Sequence, residues 1–429
     1  MAPGESAAPR WTSLALGAAI LAPVAVALDF VTRFGVNMPF WDEWTLVGML
    51  GRWHDGTLSA VDLLSLHAEH RPFFPRLLML GLAGLTHYNA VVEMLVGWLF
   101  LAATVAVLWV EHRATFGSSP AALARFLPIP WLLCTLRQNE NLLWGWQLGL
   151  YLCVLGLVVG AAALPRAQGS WGWTAVAAAA GVVAMFSFAA GALFWPVALW
   201  ASKGRARWIL AGVGAVAAAI YAVGYIHPPQ YPDYAAAVAR PLATGYFAAT
   251  LLGEVFAGGM TSSASAGAAV LAVIAGLGFL WARRQLDARV ARMGQLLALF
   301  GLGSLALVVL GRMGQGFVYA KVSRYATFGA LALVGLWRTA LGISAERVRA
   351  WATGALGALA VMATFASYDG AYEMGASVRA ARHREAAVIL DYRNRTDEEL
   401  GKVMADPPFI RRAAEFLEAH DLGPFHTLR

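Results

Sequence analysis

Charge is what this chain has least of. Asp, Glu, Lys and Arg make up 13% of its 429 residues, where a soluble domain carries about 25%. That excludes an ordinary water-soluble fold. Cysteine is nearly missing as well. Cys134 and Cys153 are the only two, and both fall inside apolar runs, which excludes a disulfide framework and a cysteine metal site. No Ser/His/Asp triad, Cys/His pair, dinucleotide fingerprint or zinc pattern stands out. The alternating dyads of a membrane barrel are absent, and so are internal repeats and low-complexity linkers. The first apolar run, after Arg10, lacks a small-residue cleavage site, so it is expected to remain as a span.

What is present is apolar. Hydrophobic residues are 59% of the chain and the mean hydropathy is +0.60. Runs near the length of a membrane span, about 20 residues, recur from end to end. The expected fold is an all-α polytopic membrane protein with about 11 spans and its N-terminus inside. Single spans are expected at about 11–31, 90–110, 121–136, 142–164, 208–225, 264–281, 295–310, 325–341 and 350–366. The stretch 171–201 is too short for two full spans and too long for one. It predicts two short helices that break between Ser187 and Gly191. Residues 32–89 form a first loop too long for a simple connection. A proline loop runs from His227 to Tyr234, followed by a semi-apolar stretch to Met260. The chain thus divides into a membrane domain, 1–366, and a small helical tail, 367–429. In the tail Thr396 and Glu399 read as a capping box, and Phe409, Ala413, Phe416, Leu417 and His420 fall at helical spacing.

The pI of 9.6 does not point to nucleic acid, because excess arginine in a membrane protein gathers in cytoplasmic loops. With the N-terminus inside, Arg113, Arg166, Lys203, Arg205, Arg207, Arg283, Arg284, Arg289, Arg292, Arg347 and Arg349 all fall on the inner side. The first loop and the tail are then outside. The 17 tryptophans cluster at run ends, as an interfacial belt does. Arg33, Arg52, Arg71, Arg76, Arg137, Arg240, Arg312, Lys321 and Arg324 remain on the outer side. They pair either with headgroups and local acids or with a bound anion such as a lipid phosphate.

Four constellations carry candidate chemistry. Asp42-Glu43 lies between Trp41 and Trp44 and opens an amphipathic helix, 42–53. A carboxylate partly desolvated at an interface suits a general base. Acidic residues also favour any helix's first turn, and neighbours on a helix diverge by about 100°, so the two do not aim at one atom. His67-Ala68-Glu69-His70-Arg71-Pro72-Phe73-Phe74-Pro75-Arg76 is the densest polar cluster. His67 and His70 are spaced for one helical face, which suits substrate positioning better than metal, since the zincin spacing is absent. Arg312, Gly314, Gly316, Lys321, Arg324 and Tyr325 join two spans and resemble a phosphate-binding turn without being a Walker loop. Interfacial anchoring is the plain alternative. Glu140, Asn141, Trp144, Trp146 and Gln147 resemble a sugar-binding set, although tryptophan at an interface needs no ligand.

With these residues in view, the front of the chain resembles the GT-C superfamily of membrane glycosyltransferases, chiefly the aminoarabinose-transferase and protein O-mannosyltransferase types. Those begin with a span, an outer acidic pair opening a juxtamembrane helix, a His/Pro stretch, a short helix and a second span. Here Asp42-Glu43, the helix 42–53, His70-Arg71-Pro72-Phe73-Phe74-Pro75, residues 76–85 and residues 90–110 keep that order. The likeness covers about the first quarter of the chain. It departs from the pattern where His-Arg-Pro replaces His-Pro-Pro and where Glu93 stands near the usual arginine of the second span.

The resemblance implies an inverting transfer of a sugar from a polyprenyl-phosphate donor to an envelope acceptor. The site would face outward from a bacterial cytoplasmic (inner) membrane. Asp42 would be the base and Glu43 its helper. Arg71, Arg76, Lys321 and Arg324 would be phosphate ligands. With His67, Glu69, His70, Glu140, Trp144, Arg312 and Tyr325 they make up the expected substrate-binding set. No cofactor or metal ligand is expected, and a divalent ion is left open. The partners implied are membrane lipid, the donor and the acceptor, with no nucleic acid. A transporter or flippase of lipid-linked sugars, or a non-catalytic assembly factor, competes with this reading.

Overall fold

A computed structural model describes residues 10–229, 231 and 234–428. Among them the ordered elements are helices, and the only β-type pairings are two isolated bridges. This follows from the composition, because a chain that meets lipid must satisfy its backbone internally, and helices do so segment by segment.

The first helix, α1 (Arg10–Phe34), runs to a short loop and α2 (Glu43–His54). Short α3 (Ala60–Leu64) and α4 (Phe73–Thr86) then lead into α5 (Ala90–Phe116). The run expected as one span at 121–136 is interrupted. Pro128 and Pro130 divide it into α6 (Pro120–Phe126) and α7 (Pro128–Leu133), since proline removes a helical donor. After the turn α8 (Asn139–Leu142) comes α9 (Leu148–Ala167).

The stretch 171–201 forms a helical hairpin, as its length predicts. It consists of α10 (Trp171–Met185), a 3-10 turn over Ala189–Leu193, and α11 (Phe194–Ala201). Lys203 N–H donates to Gln168 Oε1 at 3.0 Å, so both feet of the hairpin stand at one end of the bundle. There follow α12 (Gly204–Ala222), α13 (Ala235–Ala239), α14 (Pro241–Leu252), α15 (Met260–Ala282), α16 (Ala288–Arg312), α17 (Ala326–Ala340) and α18 (Glu346–Tyr368). Every residue of α17 is buried. It lies so close to α16 that a Cβ on Gly301 would come 2.4 Å from Ala332 N, and one on Gly335 would come 2.2 Å from Ala298 N. Small residues let helix backbones meet in this way.

Among the described residues, seven helices are long and apolar enough to cross a membrane, and four more apolar helices are shorter. The about 11 expected spans therefore become seven full-length helices together with shorter pieces. The short turns with Lys203, Arg283 and Arg284 and the adjoining first turns of α12, α16 and α18, which hold Arg205, Arg207, Arg289, Arg347 and Arg349, gather at one end of the bundle. The opposite end carries a cap.

The cap has its own apolar core. Trp44, Leu46, Val47 and Leu50 of α2 pack with Met79 and Leu80 of α4. The other half comes from the tail: α19 (Ala371–Leu390), α20 (Asp397–Val403), α21 (Pro407–Ala419) and α22 (Pro424–Thr427). The Thr396–Glu399 capping box is formed, and it opens α20. Gly48 and Gly51 of α2 receive the rings of Phe409 and Phe416 of α21. Asn37 ties the two halves, donating to Gly423 O at 3.0 Å and accepting from Ala90 N–H at 2.9 Å.

Candidate active site

Below the cap lies a cavity of about 810 Å³. One wall is the loop at Trp41 and Asp42 with Trp144 and Trp146. A second is the turn from His67 to His70, and a third is the hairpin tip at Phe188 to Ala190. Tyr221 and Ala218 of α12, Leu307 and Val308 of α16, and Arg312, Arg324 and Tyr325 complete it. Apolar and aromatic side chains line it together with a few charged and polar ones, the usual make-up of a ligand site.

Asp42 and Glu43 point apart. Asp42 is the residue before α2 and makes no side-chain capping bond. Its carboxylate lines the cavity instead, with Oδ1 3.2 Å from His67 Nε2. Trp41 holds φ +45°, a conformation costly for a bulky residue, and its ring stacks on Phe40 and meets Trp144 edge-on.

Glu43, by contrast, is fully buried. One oxygen accepts from Phe40 N–H at 2.7 Å and the other from Trp146 N–H at 3.0 Å. Gly145 leaves room for it beside buried Glu93: a Cβ there would lie 2.5 Å from Glu43 Oε1 and 2.6 Å from Glu93 Oε2. Burial pushes the Glu43 carboxyl up to about 8, against the two N–H groups that favour its ionised form. Two carboxyl groups this close in an apolar setting do not both ionise. Glu43 is thus a staple between the Phe40 loop and the Trp146 turn, and it has no place on the cavity wall.

The spacing of His67 and His70 suggested one helical face, and the structure corrects this. The two exchange backbone bonds of 2.8 and 2.9 Å across a tight turn with Ala68 at φ +51°. His67 faces Asp42 and lies 4.7 Å from the Trp146 ring. His70 stacks on Phe188 at 4.1 Å, and its Nδ1 accepts from Ala189 N–H at 3.1 Å. That bond puts the ring proton on Nε2. Burial lowers the His70 pKa to about 4, so the ring is neutral. Glu69, between them, pairs with Arg312, and its carbonyl accepts from Tyr221 Oη at 2.8 Å.

Three expected cations do not line the cavity. Arg71 donates to the carbonyls of Leu64, Tyr221 and Val223, and Arg76 to those of Asp62, Leu63 and Ser65. Both guanidinium groups thereby fix backbone. Lys321 pairs with buried Glu254, which also holds Arg137. The desolvated acid takes both cations, because a buried charge needs compensation. Arg312 and Arg324 do reach the cavity. Arg312 lies 3.9 Å over the Tyr231 ring and donates to Tyr325 Oη at 3.2 Å, and Arg324 pairs with Glu140 at 3.1 Å. Glu140 stands behind Arg324 and not on the wall.

The sequence reading passed over several wall residues: Phe188, Tyr221, Tyr225, His227, Tyr231 and Gln315. The signal for Tyr221 and Tyr225 was their place at the end of a span, just before the proline loop that brings His227 and Tyr231. Within the cavity, among the described residues, no three His, Cys, Asp or Glu donors converge on one point.

The arrangement offers a carboxylate oriented by a histidine, aromatic faces, a neutral imidazole N–H and two arginines, all on one cavity. No family model matches the chain, and neither a curated protein nor a solved structure matches it.

Proposed function

We propose that this chain is a membrane glycosyltransferase of the GT-C kind. It moves a sugar from a polyprenyl-phosphate donor to an envelope acceptor (glycolipid, polysaccharide or protein) at the extracytoplasmic face of a bacterial cytoplasmic membrane. The observation that carries this reading is that Asp42 shares one cavity with Arg312 and Arg324.

In this scheme an acceptor hydroxyl lies against Asp42, whose other contact, His67 Nε2, fixes the carboxylate's direction. As the acceptor oxygen attacks the anomeric carbon, its proton passes to Asp42. The bond from that carbon to the phosphate oxygen breaks, and the electron pair leaves with the polyprenyl phosphate. Attack from the face opposite the leaving group inverts the centre. Arg312 and Arg324 meet the charge on the phosphate, the group where stabilisation counts most. Trp41 and Trp144 offer flat faces to sugar rings, and His70 Nε2–H is a fixed donor for a hydroxyl. The apolar stretch between α12 and α16 suits an isoprenoid chain.

The test is purified protein in liposomes with labelled polyprenyl-phosphate sugars and a panel of acceptors, comparing Asp42→Asn with Glu43→Gln. Full turnover by Asp42→Asn overturns the assignment. A second reading, movement of a lipid-linked sugar across the bilayer, is favoured by one feature. The α10–α11 hairpin breaks at the cavity, and broken helices mark transport sites. Label that changes leaflet with no new glycosidic bond selects that reading.

A further inference from the structure

A second cluster stands outside the cavity, where the tail meets the front of the chain. His87 ends α4 in the left-handed region at φ +52°, and Asp421 follows α21 in the same region at φ +51°. His426 lies on the last turn. Its Nδ1 is 2.7 Å from Asp421 Oδ2, and its ring lies parallel to that of His87 with centroids 4.2 Å apart. One donor atom from each residue falls within 4.8 Å of the other two. From these positions we infer that His87, Asp421 and His426 form a binding site for a late first-row divalent metal, zinc above all, which clasps the tail onto the turn between α4 and α5.

The backbone that presents the three donors is held without any metal. Gly423 N–H donates to His87 O at 2.8 Å, and Asn37 donates to Gly423 O at 3.0 Å and to Thr427 Oγ1 at 2.9 Å. The donors come from segments more than 300 residues apart, yet the frame between them is closed by hydrogen bonds on both sides. Two imidazoles and a carboxylate suit zinc, nickel or copper better than calcium or magnesium, which prefer all-oxygen shells. Three protein ligands leave at least one position for water. All three side chains are exposed, so the parallel rings can tilt toward a shared ion without moving packed groups. The stack itself places two bases side by side with a single carboxylate, and a divalent cation between them would satisfy all three.

The site is separate from the proposed transfer chemistry, so its test does not depend on activity. Full-length protein without a polyhistidine tag is purified in detergent, stripped with chelator and titrated with zinc chloride by calorimetry. One equivalent is expected to bind. His87→Ala and His426→Ala should each abolish that equivalent, and Asp421→Asn should weaken it at least tenfold. Zinc should also raise the thermal midpoint of the wild type and leave those of the two alanine variants unchanged. If either variant fails to fold, the absorption of cobalt added to the wild type reports the ligands directly. A four- or five-coordinate spectrum supports the site, and an octahedral aquo-like spectrum overturns it. No saturable zinc binding by the wild type, or equal binding by wild type and His87→Ala, overturns it as well.

Discussion

Glu43 reaches from the start of α2 to the backbone N–H of Trp146, 3.0 Å away, while its neighbour Asp42 faces the cavity and His67. One acid of the pair holds the architecture together and the other meets the space where a ligand fits. Substitutions at the two positions should therefore fail in different ways. Asp42→Asn should keep the thermal midpoint of the wild type and lose about 10²–10⁴ of the transfer rate, the span of a missing general base. Glu43→Gln should lose stability first, by about 1–3 kcal/mol, because one of its two buried N–H partners is left facing an amide NH₂. Thermal unfolding in detergent beside the liposome assay separates the two.

Gly145 provides a sharper probe of the same staple. Gly145→Ala would push a methyl to 2.5 Å from Glu43 Oε1. With the buried side chains of Glu43 and Glu93 against it there is little room to yield, and overpacking of this sort costs about 1–3 kcal/mol. A lowered thermal midpoint with a displaced Trp146 fluorescence environment is expected; an unchanged midpoint would mean that the carboxyl pair is looser than its position shows.

The buried acid also sets a pH dependence. Burial raises Glu43 in the fold to about 8, from an ordinary value of 4.5. Between these values the folded chain holds a proton that the unfolded chain releases, so this contribution to stability is complete below about pH 4.5 and is lost as pH rises through about 8. The slope belongs to the Glu43 and Glu93 pair as a unit. Denaturant midpoints measured across that window should fall with pH in the wild type and fall less steeply in Glu43→Gln.

His70 acts with the opposite sign. Burial lowers its pKa to about 4 from 6.5, so its contribution is present above about pH 6.5 and is lost as pH falls through about 4. Protonating Nδ1 would also set it against the Ala189 N–H that it accepts. His70→Phe keeps a ring on Phe188 and should remove this acid limb of the stability profile.

Among the cations, the structure separates those that line the cavity from those that hold the fold. Arg324→Ala should lower the transfer rate by about 10²–10³. Lys321→Met should leave turnover per folded molecule unchanged while lowering the thermal midpoint, since Glu254 loses one of its two partners in a buried position. A rate loss in Lys321→Met without a stability loss would return that lysine to the site.

Much of this was legible along the chain because the relevant signals are local. Apolar run length foretold the long helices, the awkward length of 171–201 foretold a hairpin broken near Ser187, and Thr396 with Glu399 foretold the start of α20. The site was legible only where a residue's own neighbours decided its direction. Asp42 stood out because tryptophans flank it, yet nothing in residues 39–44 says which of two adjacent acids turns inward. That is decided by Gly145 and Glu93, which are remote in sequence. The His67 and His70 spacing misled because a three-residue interval fits a tight turn as well as a helix, and Ala68 at positive φ gives no compositional hint. Lys321 and Arg71 were indistinguishable from ligand cations because buried Glu254, which pairs with the first, and the Tyr221 and Val223 carbonyls, which accept from the second, come from distant segments.

The seating of Phe409 and Phe416 on Gly48 and Gly51 has a consequence for the order in which the protein matures. Ribosomes make α2 well before α21, which follows every membrane-crossing candidate among the described residues. Until then the glycine face of α2 lacks the rings that cover it. The end of the molecule that carries Asp42 is thus covered only once α21 has been made, so a chain that stops short of it would present α2 with its glycine face bare.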